Sequence, residues 1–503
     1  MKRLRSAFLL AAFSLFCVLP CTGVELKGRL VDSLTWTGQR FEPGTEVPFR
    51  YYVSPGAAGD DNAVYVLYET GVSLLPKLEE LLEEGVIPQG LVVMVQSGTL
   101  TGPGGMRAMR AEEFDQNGVE FTNLVIEEIL PYAAKEAGIG LSPDPDKHFV
   151  HGTSSGGALA WYGLWYRNDF FHRGFLSSPT FSAMRGGEEP MVLVRKTEPR
   201  PIRVFITCGT TEPDYYFGDS FVAAYNAASA LKYAGYEVGF EIFAKGKHGS
   251  HHQDHDFWDR MMRWMFETEH VAAPALNLRL SKILPEDSHW EPYDGTPPAR
   301  ITKLDQDGGR YRIRRGRLFF RPGRGLFGGR RIPLNVPGRV SALALSSDLW
   351  RLYVTSEDSR FIYAFSLDSL GRPGARYILA PIHEAHDIRT AGCNDLCVST
   401  EDRVLVATQL GVQTANSCGL VDGILPLPGD IPAERVWLAD SLLYAKAADG
   451  MVYVRKTLLA PHDGKTVCKA SGQRYGDLEL NYSRPHLEPL FESRAEGEAI
   501  PGL

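Results

Sequence analysis

His151–Ala158 reads HGTSSGGA, two serines wedged between paired glycines. A turn that drops straight from a strand into a helix is too sharp for side chains two positions before and two positions after its apex. Gly152-Thr153-Ser154-Ser155-Gly156 meets that requirement for Ser154, and Gly157 adds room. Centred on Ser155, the same rule puts Thr153 and Gly157 at the critical positions, and it fails. The flanks agree with Ser154: HFVH reads as a strand and ALAWYGLWY as an amphipathic helix. A glycine-rich phosphate turn or a plain strand-helix corner shares the pentapeptide, so the choice of a nucleophile depends on whether an acid and a histidine stand further along the chain.

A serine hydroxyl at neutral pH needs a base to take its proton and an acid to orient that base. On the α/β-hydrolase fold the acid and then the histidine come after the serine along the chain. After the strand-like IRVFITCG come Thr210-Thr211-Glu212-Pro213-Asp214, carboxylates just past a strand's C-terminal end. Glu212 is the first choice because it lies three residues past Gly209; Asp214 is close behind and Asp219 third. EVGFEIFAKGKHG then brings His248 into a glycine-flanked loop, followed by the helical FWDRMMRWMF. The order is serine, acid, histidine. The alternative for either carboxylate is a solvated loop charge.

Around the octet, AVYVLY, GLVVMVQ, HFVHG and IRVFITCG alternate with SLLPKLEELLEEG, FTNLVIEEILPYAAKEAG and SFVAAYNAASALKYAG. The former are rich in β-branched residues and bounded by turns; the latter repeat apolar residues at helical spacing and end in glycine. Such alternation predicts an α/β fold with a mostly parallel sheet covered by helices over residues 36–268. From 300 to 460 the pattern changes to short strands and tight polar turns, as in RYRIRRGRLFF, VSALALS, WRLYVTS, DRVLVATQ and GMVYVRK, which predicts an all-β, partly propeller-like domain. Residues 269–299 read as a linker and 461–503 as a loosely ordered tail.

The 503 residues exceed what one hydrophobic core sustains, in keeping with two domains. A formal charge of −8 without a basic run beyond the N-terminus argues against nucleic acid as a partner. Residues 1–23 have a basic start, a short apolar run and small residues at their end, the pattern of a signal peptide, so the chain is expected to be secreted or periplasmic. That apolar run is shorter than the roughly 20 residues of a spanning helix, and no later segment is apolar enough to cross a bilayer. Beyond it remain Cys208, Cys393, Cys397, Cys418 and Cys468, an odd number; Cys208 reads as a buried strand thiol, and a disulfide among the other four has no readable pairing.

The first part of the chain carries a specific resemblance. RFEPGTEVPFRYYVSP, LEEGVIP, RAEEFD before FTNLVIEEILP, HGTSSGG, RGGEEPMVLVRKTEPRPIRVFI, ALKYAGYEV and GKHGSHH together resemble the enterochelin-esterase-like branch of the esterase D family, over residues 38–267. The resemblance implies an α/β-hydrolase serine esterase with Ser154 as nucleophile, Glu212 or Asp214 as acid and His248 as base, needing no cofactor. It implies an oxyanion hole built from the Ser155 N–H and one from Thr70 or Gly71, although Glu69-Thr70-Gly71 stands where relatives carry an Asp-Gly pair. It also puts Arg107, Arg110, Glu113, Phe114 and Asp115 beside the cleft, with Arg110 and Glu113 as substrate-binding candidates. A metal reading competes for one stretch, because His251 and His255 stand at i, i+4 with Asp256 adjacent. No Glu stands between them as in HExxH, and a catalytic-histidine loop fits the glycines better.

Residues 340–456 resemble more faintly the SMP-30/gluconolactonase/LRE propellers, through VSALALSSDLWRLYVTSEDSRFIYAFSLDSLGRP and AGCNDLCVSTEDRVLVATQLGVQ. Ser341 and Asn394 occupy the positions where that resemblance calls for metal-binding Asn and Asp, so a hard cation finds no carboxylates there. The expectation is a secreted serine carboxylesterase acting on a carbohydrate-linked feruloyl or acetyl ester or on a siderophore-type ester. The alternatives are a metal-dependent lactonase activity of the β-domain and a catalytically silent carbohydrate-binding protein.

Overall fold

The computed structural model describes residues 26–39, 43–115, 118–182, 187–254, 256–323, 329–384, 392–468 and 491–492. The expected signal segment and most of the expected tail lie outside the described residues. In chain order the first strands are β1 (Arg29–Thr37), β2 (Glu46–Val53), β3 (Ala63–Tyr68), β4 (Gly90–Val95), β5 (Thr99–Gly102), β6 (Gly105–Ala108), β7 (His148–Thr153), β8 (Arg173–Ser177) and β9 (Arg203–Gly209). A two-residue-by-two-residue hairpin, β10 (Asp214–Tyr215) and β11 (Gly218–Asp219), precedes β12 (Val238–Phe243). Apart from the β5–β6 hairpin, which extends from β2, the large sheet runs β1-β2-β4-β3-β7-β8-β9-β12, and Phe491–Glu492 adds a short parallel edge strand beside β12. From β4 to β12 every pair is parallel, and β1 and β2 are antiparallel additions. This mixed parallel and antiparallel sheet with its helices fits the expected α/β-hydrolase arrangement.

The parallel strands are buried on both faces, and their two-residue period sorts the core. Val64, Val66 and Tyr68 of β3 face α3 (Glu120–Leu124), α4 (Leu130–Ala137), α5 (Ser155–Tyr166) and α7 (Ser220–Tyr233). Ala63, Tyr65 and Leu67 face α1 (Leu75–Glu83) and α8 (Phe257–Phe266). The helix α5 departs from the amphipathic reading: every residue from Ser155 to Trp165 is buried. ALAWYGLWY is apolar all round, so the helix serves as an interior element with no polar stripe to turn to water.

The strand β8 escapes the sequence reading because RGFLS opens with an arginine and a glycine. Arg173 is 1% exposed. It donates to the carbonyls of Asp146, Met265, Thr268 and Glu269, and its guanidinium lies 4.7 Å from the Phe266 ring. A cation near the C-terminal carbonyls of α8 is favoured there by the helix dipole.

The C-terminal part holds four four-stranded antiparallel sheets. Lys303–Gln306, Gly309–Arg314, Arg317–Pro322 and Ile332–Leu334 form the first, strands within 340–381 the second and strands within 395–425 the third. The fourth combines three strands of 433–456 with Glu291–Pro292, which pairs with Tyr453 and Val454. Hydrophobic clusters join the first sheet to the second, the second to the third and the third to the fourth. Among the described residues none joins the fourth to the first, so a closed propeller ring is not what these clusters describe. Residues 269–299, read as a linker, are partly structural: Leu280, Ile283 and Leu284 are buried against the third and fourth sheets, and Glu291–Pro292 is a sheet strand.

The two parts are joined by a short parallel bridge, with Ile424 N–H donating to Lys196 O at 2.8 Å and Glu198 N–H to Ile424 O at 3.0 Å. Two bidentate pairs flank it, Arg455 on Glu198 at 2.8 and 2.9 Å and Arg200 on Asp430 at 2.8 and 2.7 Å. All five cysteines described are free, and burial pushes the Cys208 thiol up. Among the described residues no helix is long and apolar enough to cross a membrane.

Candidate active site

Parallel strands end together at one edge of the sheet, and open α/β sheets bind ligands there. Register aligns Tyr68 with Gly152, Thr153 with Ser177, and Gly209 with Phe243, so the loops after β3, β7, β8, β9 and β12 share that edge. Ser154 sits at the apex between β7 and α5 with φ 62° and ψ −125°, a strained conformation for a side chain that is not glycine. Neighbouring backbone holds it: Ser154 N–H donates to Ser177 O at 2.9 Å, and Thr180 N–H to Ser154 O at 3.1 Å. Its hydroxyl lies 3.3 Å from that of Thr180.

The glycines around the apex are not equally demanded. A Cβ on Gly152 would stand 2.1 Å from the Gly156 carbonyl oxygen, which no side chain survives. At Gly157 it would meet Gly152 O and Pro179 Cα at 3.1 Å, whereas at Gly156 its nearest neighbour is Tyr68 Cβ at 3.4 Å, an ordinary contact. The rule of one glycine on each side thus holds strictly only for the strand side.

Glu212 and His248 meet: Nδ1 of the imidazole and Oε2 of the carboxylate are 2.5 Å apart. The Glu212 side chain is fully buried. Burial alone would raise its proton affinity, but bonds from His248, the Gly209 N–H at 3.0 Å and the Ser178 hydroxyl at 2.5 Å outweigh it and hold the carboxyl below its ordinary value. Asp214 and Asp219 go elsewhere. They pair across the exposed β10–β11 hairpin, where Asp219 also caps α7 through Val222 N–H at 2.9 Å. The histidine loop rests against the elbow, since a Cβ on Gly249 would lie 3.7 Å from the Thr153 methyl.

Ser178 is the residue the sequence did not offer. It follows the missed strand β8, has φ 41°, donates to Glu212 and accepts from Gly249 N–H at 3.0 Å. One hydroxyl thereby ties the carboxylate to the backbone beside His248. The available signal was the Ser-Ser-Pro run at the end of RGFLSSP, whose position next to β7 only the sheet order reveals.

The loop after β3 contains Glu69 with φ 51°, then Thr70, whose hydroxyl donates to Tyr68 O at 3.2 Å, and Gly71. Ser155 opens α5, where the first backbone N–H groups have no partner within the helix. Arg110 and Glu113 both have internal partners. Arg110 makes a fork on Glu69 at 2.7 and 2.8 Å and donates from Nη1 to Ser155 Oγ at 2.8 Å. Glu113 is 2% exposed and accepts from Gly98 N–H at 2.6 Å, and its Oε1 has no hydrogen-bond partner among the described residues. Burial pushes the Glu113 carboxyl up to about 7. Of the same cluster, Arg107 pairs with Glu112 in the exposed approach, while Phe114 is fully buried against Tyr68 and Phe121.

The histidine string divides. His251 is fully buried, bonded to Ser177 Oγ at 2.6 Å and packed with His151, Phe175 and Trp258; burial holds it well below its ordinary value. His255 lies outside the described residues. Among the described residues no group of three His, Cys, Asp or Glu side chains stands close enough to hold a metal ion. In the C-terminal part, Ser341 Oγ bonds to Thr355 and to the Cys393 carbonyl, and Asn394 donates to Ala433 O. Two cavities, of about 340 and 610 Å³, follow the seam between the two parts, and none of Ser154, Glu212 and His248 lines them.

No family model matches the chain, and neither does any curated protein. Among solved structures, the enterobactin esterase of Shigella flexneri is similar at TM-score 0.38 and 15% identity, over 48% of this chain and 60% of that one. A ferulic acid esterase gives TM-score 0.37 and 15% identity over 48% and 98%. The BES protein of Bacillus cereus gives TM-score 0.34 and 17% identity over 47% and 96%. The chain thus spans about 60% of the length of the enterobactin esterase it matches.

These contacts set two expected outcomes. Gly152→Ala should cost more than about 3 kcal/mol or prevent folding, while Gly156→Ala should change stability by less than about 1 kcal/mol, measured as denaturant midpoints. Glu113, with its folded pKa raised to about 7, contributes stability fully present below its unfolded value and lost as pH rises through 7. Glu113→Gln, which keeps an acceptor for Gly98 N–H, should flatten that part of the stability profile between about pH 4.5 and 7, by up to about 3 kcal/mol. Urea titrations of both proteins across that range measure the difference.

Proposed function

We propose that the protein is a serine carboxylesterase with Ser154 as nucleophile, His248 as general base and acid, and Glu212 as the group that orients the imidazole. The observation that carries this reading is the buried Glu212 carboxylate on His248 Nδ1 at 2.5 Å, on a loop that rests against the strained Ser154 turn. With Nδ1–H donated to the carboxylate, Nε2 is the nitrogen left to accept the serine proton. Attack by Oγ on the ester carbonyl gives a tetrahedral oxyanion, which the N–H groups of Ser155 and of Thr70 or Gly71 stabilise. The imidazolium then protonates the leaving alkoxide, the alcohol departs, and water repeats the sequence on the acyl-enzyme. The negative Glu212 stabilises the imidazolium at each stage without taking its proton.

For the substrate we propose an ester that carries a ring, as carbohydrate-linked feruloyl or acetyl esters and catecholate siderophore esters do. Support comes from the hairpin two residues beyond Glu212. Tyr216 is fully exposed, Tyr215 is 44% exposed, and Tyr215 and Phe217 stack at 4.7 Å with planes 13° apart. Three adjacent aromatic side chains left on the surface beside the acid loop form a platform that a flat substrate ring can cover. Export through the N-terminal segment belongs to the same proposal and fits a polymeric or extracellular ester. The C-terminal sheets act in it as a docking or binding module and not as a lactonase, because Ser341 and Asn394 supply no carboxylate.

Hydrolysis of p-nitrophenyl butyrate tests the central reading. Wild type should turn over, Ser154→Ala should retain only background, and Glu212→Gln should lose about 10³-fold or more in kcat. Asp214→Asn should stay close to wild type; a loss equal to that of Glu212→Gln would move the acid to Asp214. For the substrate class, Tyr215→Ala with Phe217→Ala should raise KM for feruloylated oligosaccharide and leave methyl butyrate hydrolysis unchanged. Equal effects on both esters would remove the hairpin from recognition.

A further inference from the structure

Arg110 lies 44 residues before the nucleophile, yet its side chain meets the site at two points. Nε and Nη2 grip both oxygens of Glu69 at 2.7 and 2.8 Å, and Nη1 donates to Ser155 Oγ at 2.8 Å. Glu69 directly precedes Thr70 and Gly71, and Ser155 directly follows Ser154. These are the two backbone segments that would supply the oxyanion donors, one on the loop after β3 and one at the start of α5. Each borders a strained backbone conformation that its surroundings must hold: Glu69 has φ 51° and Ser154 has φ 62°. One turn further along the same short helix, Glu113 accepts Gly98 N–H at 2.6 Å, and Ser97 Oγ lies 3.4 Å from Glu69 Oε1. The helix Arg110–Phe114 therefore fastens the loop after β4 as well.

We infer that Arg110 is a positioning residue that fixes the spacing between the two oxyanion donors, through a guanidinium bridge from Glu69 to Ser155. The inference rests on the esterase reading above and changes the role of Arg110 from substrate contact to internal clamp. Three of its five N–H donors carry hydrogen bonds to the protein, and the Nε and Nη2 pair that forms the fork is taken by both oxygens of Glu69. Lysine cannot substitute, because an ammonium cannot hold both carboxylate oxygens and a hydroxyl in one plane. A misplacement of about 1 Å in such a donor costs on the order of 10²-fold in rate. A clamp therefore acts on turnover, where the oxyanion forms, more than on substrate binding.

The test is steady-state kinetics of the full chain on p-nitrophenyl butyrate, with fluorophosphonate labelling of Ser154 and thermal unfolding recorded beside it. Arg110→Lys and Arg110→Ala should each lower kcat by about 10- to 100-fold with KM close to wild type. Glu69→Gln should fall in the same direction, and Arg110→Ala with Glu69→Ala should be no worse than the first substitution alone, because both remove one bridge. Added guanidinium should restore part of the Arg110→Ala turnover, which a general loss of stability would not allow. Should Arg110→Ala fail to fold, Ser155→Ala, which deletes a single hydroxyl, should still lower kcat. A raised KM with unchanged kcat would make Arg110 a substrate contact and overturn the clamp. Wild-type kcat in Arg110→Lys, Glu69→Gln and Ser155→Ala would overturn it too. A wild-type chain that neither hydrolyses the ester nor takes the label instead overturns the esterase reading itself.

Discussion

Everything at the candidate site depends on one backbone conformation. Ser154, at φ 62° and ψ −125°, turns β7 into α5 with no residue to spare. A side-chain-bearing residue there costs about 1–3 kcal/mol, and it persists only because its surroundings leave it no alternative. Those surroundings are specific: the hydrogen bonds to Ser177 O and from Thr180 N–H, and the contact of Gly152 with the Gly156 carbonyl that excludes any Cβ. The strain is not isolated. The loop after β3 has Glu69 at φ 51°, the loop after β8 has Ser178 at φ 41°, and the loop after β12 has Lys245 at φ 55°. Left-handed residues other than glycine thus recur along the single edge where the strands end. The buried sheet behind them supplies the rigidity that holds such loops, since each parallel strand is packed on both faces.

The same constraint explains which features the chain announces locally. The elbow, the serine-acid-histidine order and the alternation of strands with helices are local patterns, because the sharp turn and two-sided burial each impose residue types over a few positions. The chain ranks Glu212 ahead of Asp214 only by its distance from Gly209, and which carboxylate meets His248 lies beyond that local signal. Both leave the same strand, and the difference is that Glu212 turns back onto Gly209 N–H and Ser178, whereas Asp214 enters a hairpin with Asp219. Ser178 itself was invisible because its importance comes from the neighbouring strand order. RGFLS did not read as a strand since Arg173, the residue that makes it look solvent-exposed, is buried as a cap on α8.

Charged residues misled for a related reason. RAEEFD has the composition of a surface loop, and a cleft-side position gave Arg110 and Glu113 the look of substrate contacts. Both have partners within the protein: the half-buried guanidinium on Glu69 and Ser155, the buried Glu113 carboxyl on Gly98 N–H. Sequence signals a charged side chain without signalling its partner, and here the partners lie 41, 45 and 15 positions away. The histidines show the reverse case. His251, which looked like a ligand by spacing, is held by Ser177 inside an aromatic cluster, where burial favours the neutral ring.

The placement of the C-terminal sheets limits what they can contribute to chemistry at Ser154. Their bridge to the first part uses Lys196–Glu198, and the Arg200–Asp430 pair stands just beside it; both precede Arg203, where β9 begins. Trp165, Tyr166 and Arg167, which line the seam cavities, lie at the far end of the helix that Ser154 starts. Because the strands are parallel, the start of β9 and the end of β7 are at opposite edges of the sheet. The bridge and the Arg200–Asp430 pair therefore lie at the edge away from the elbow. The helix α5, buried from Ser155 to Trp165, is one connection between the seam and the site, and the segment from Ser178 through Glu189, whose carboxylate lies 3.9 Å from His383, to Lys196 is another. The bridge at Lys196–Glu198 and the His383 contacts to Glu189 and Lys196 thus tie the second part to the segment that runs from the end of β8 to the start of β9.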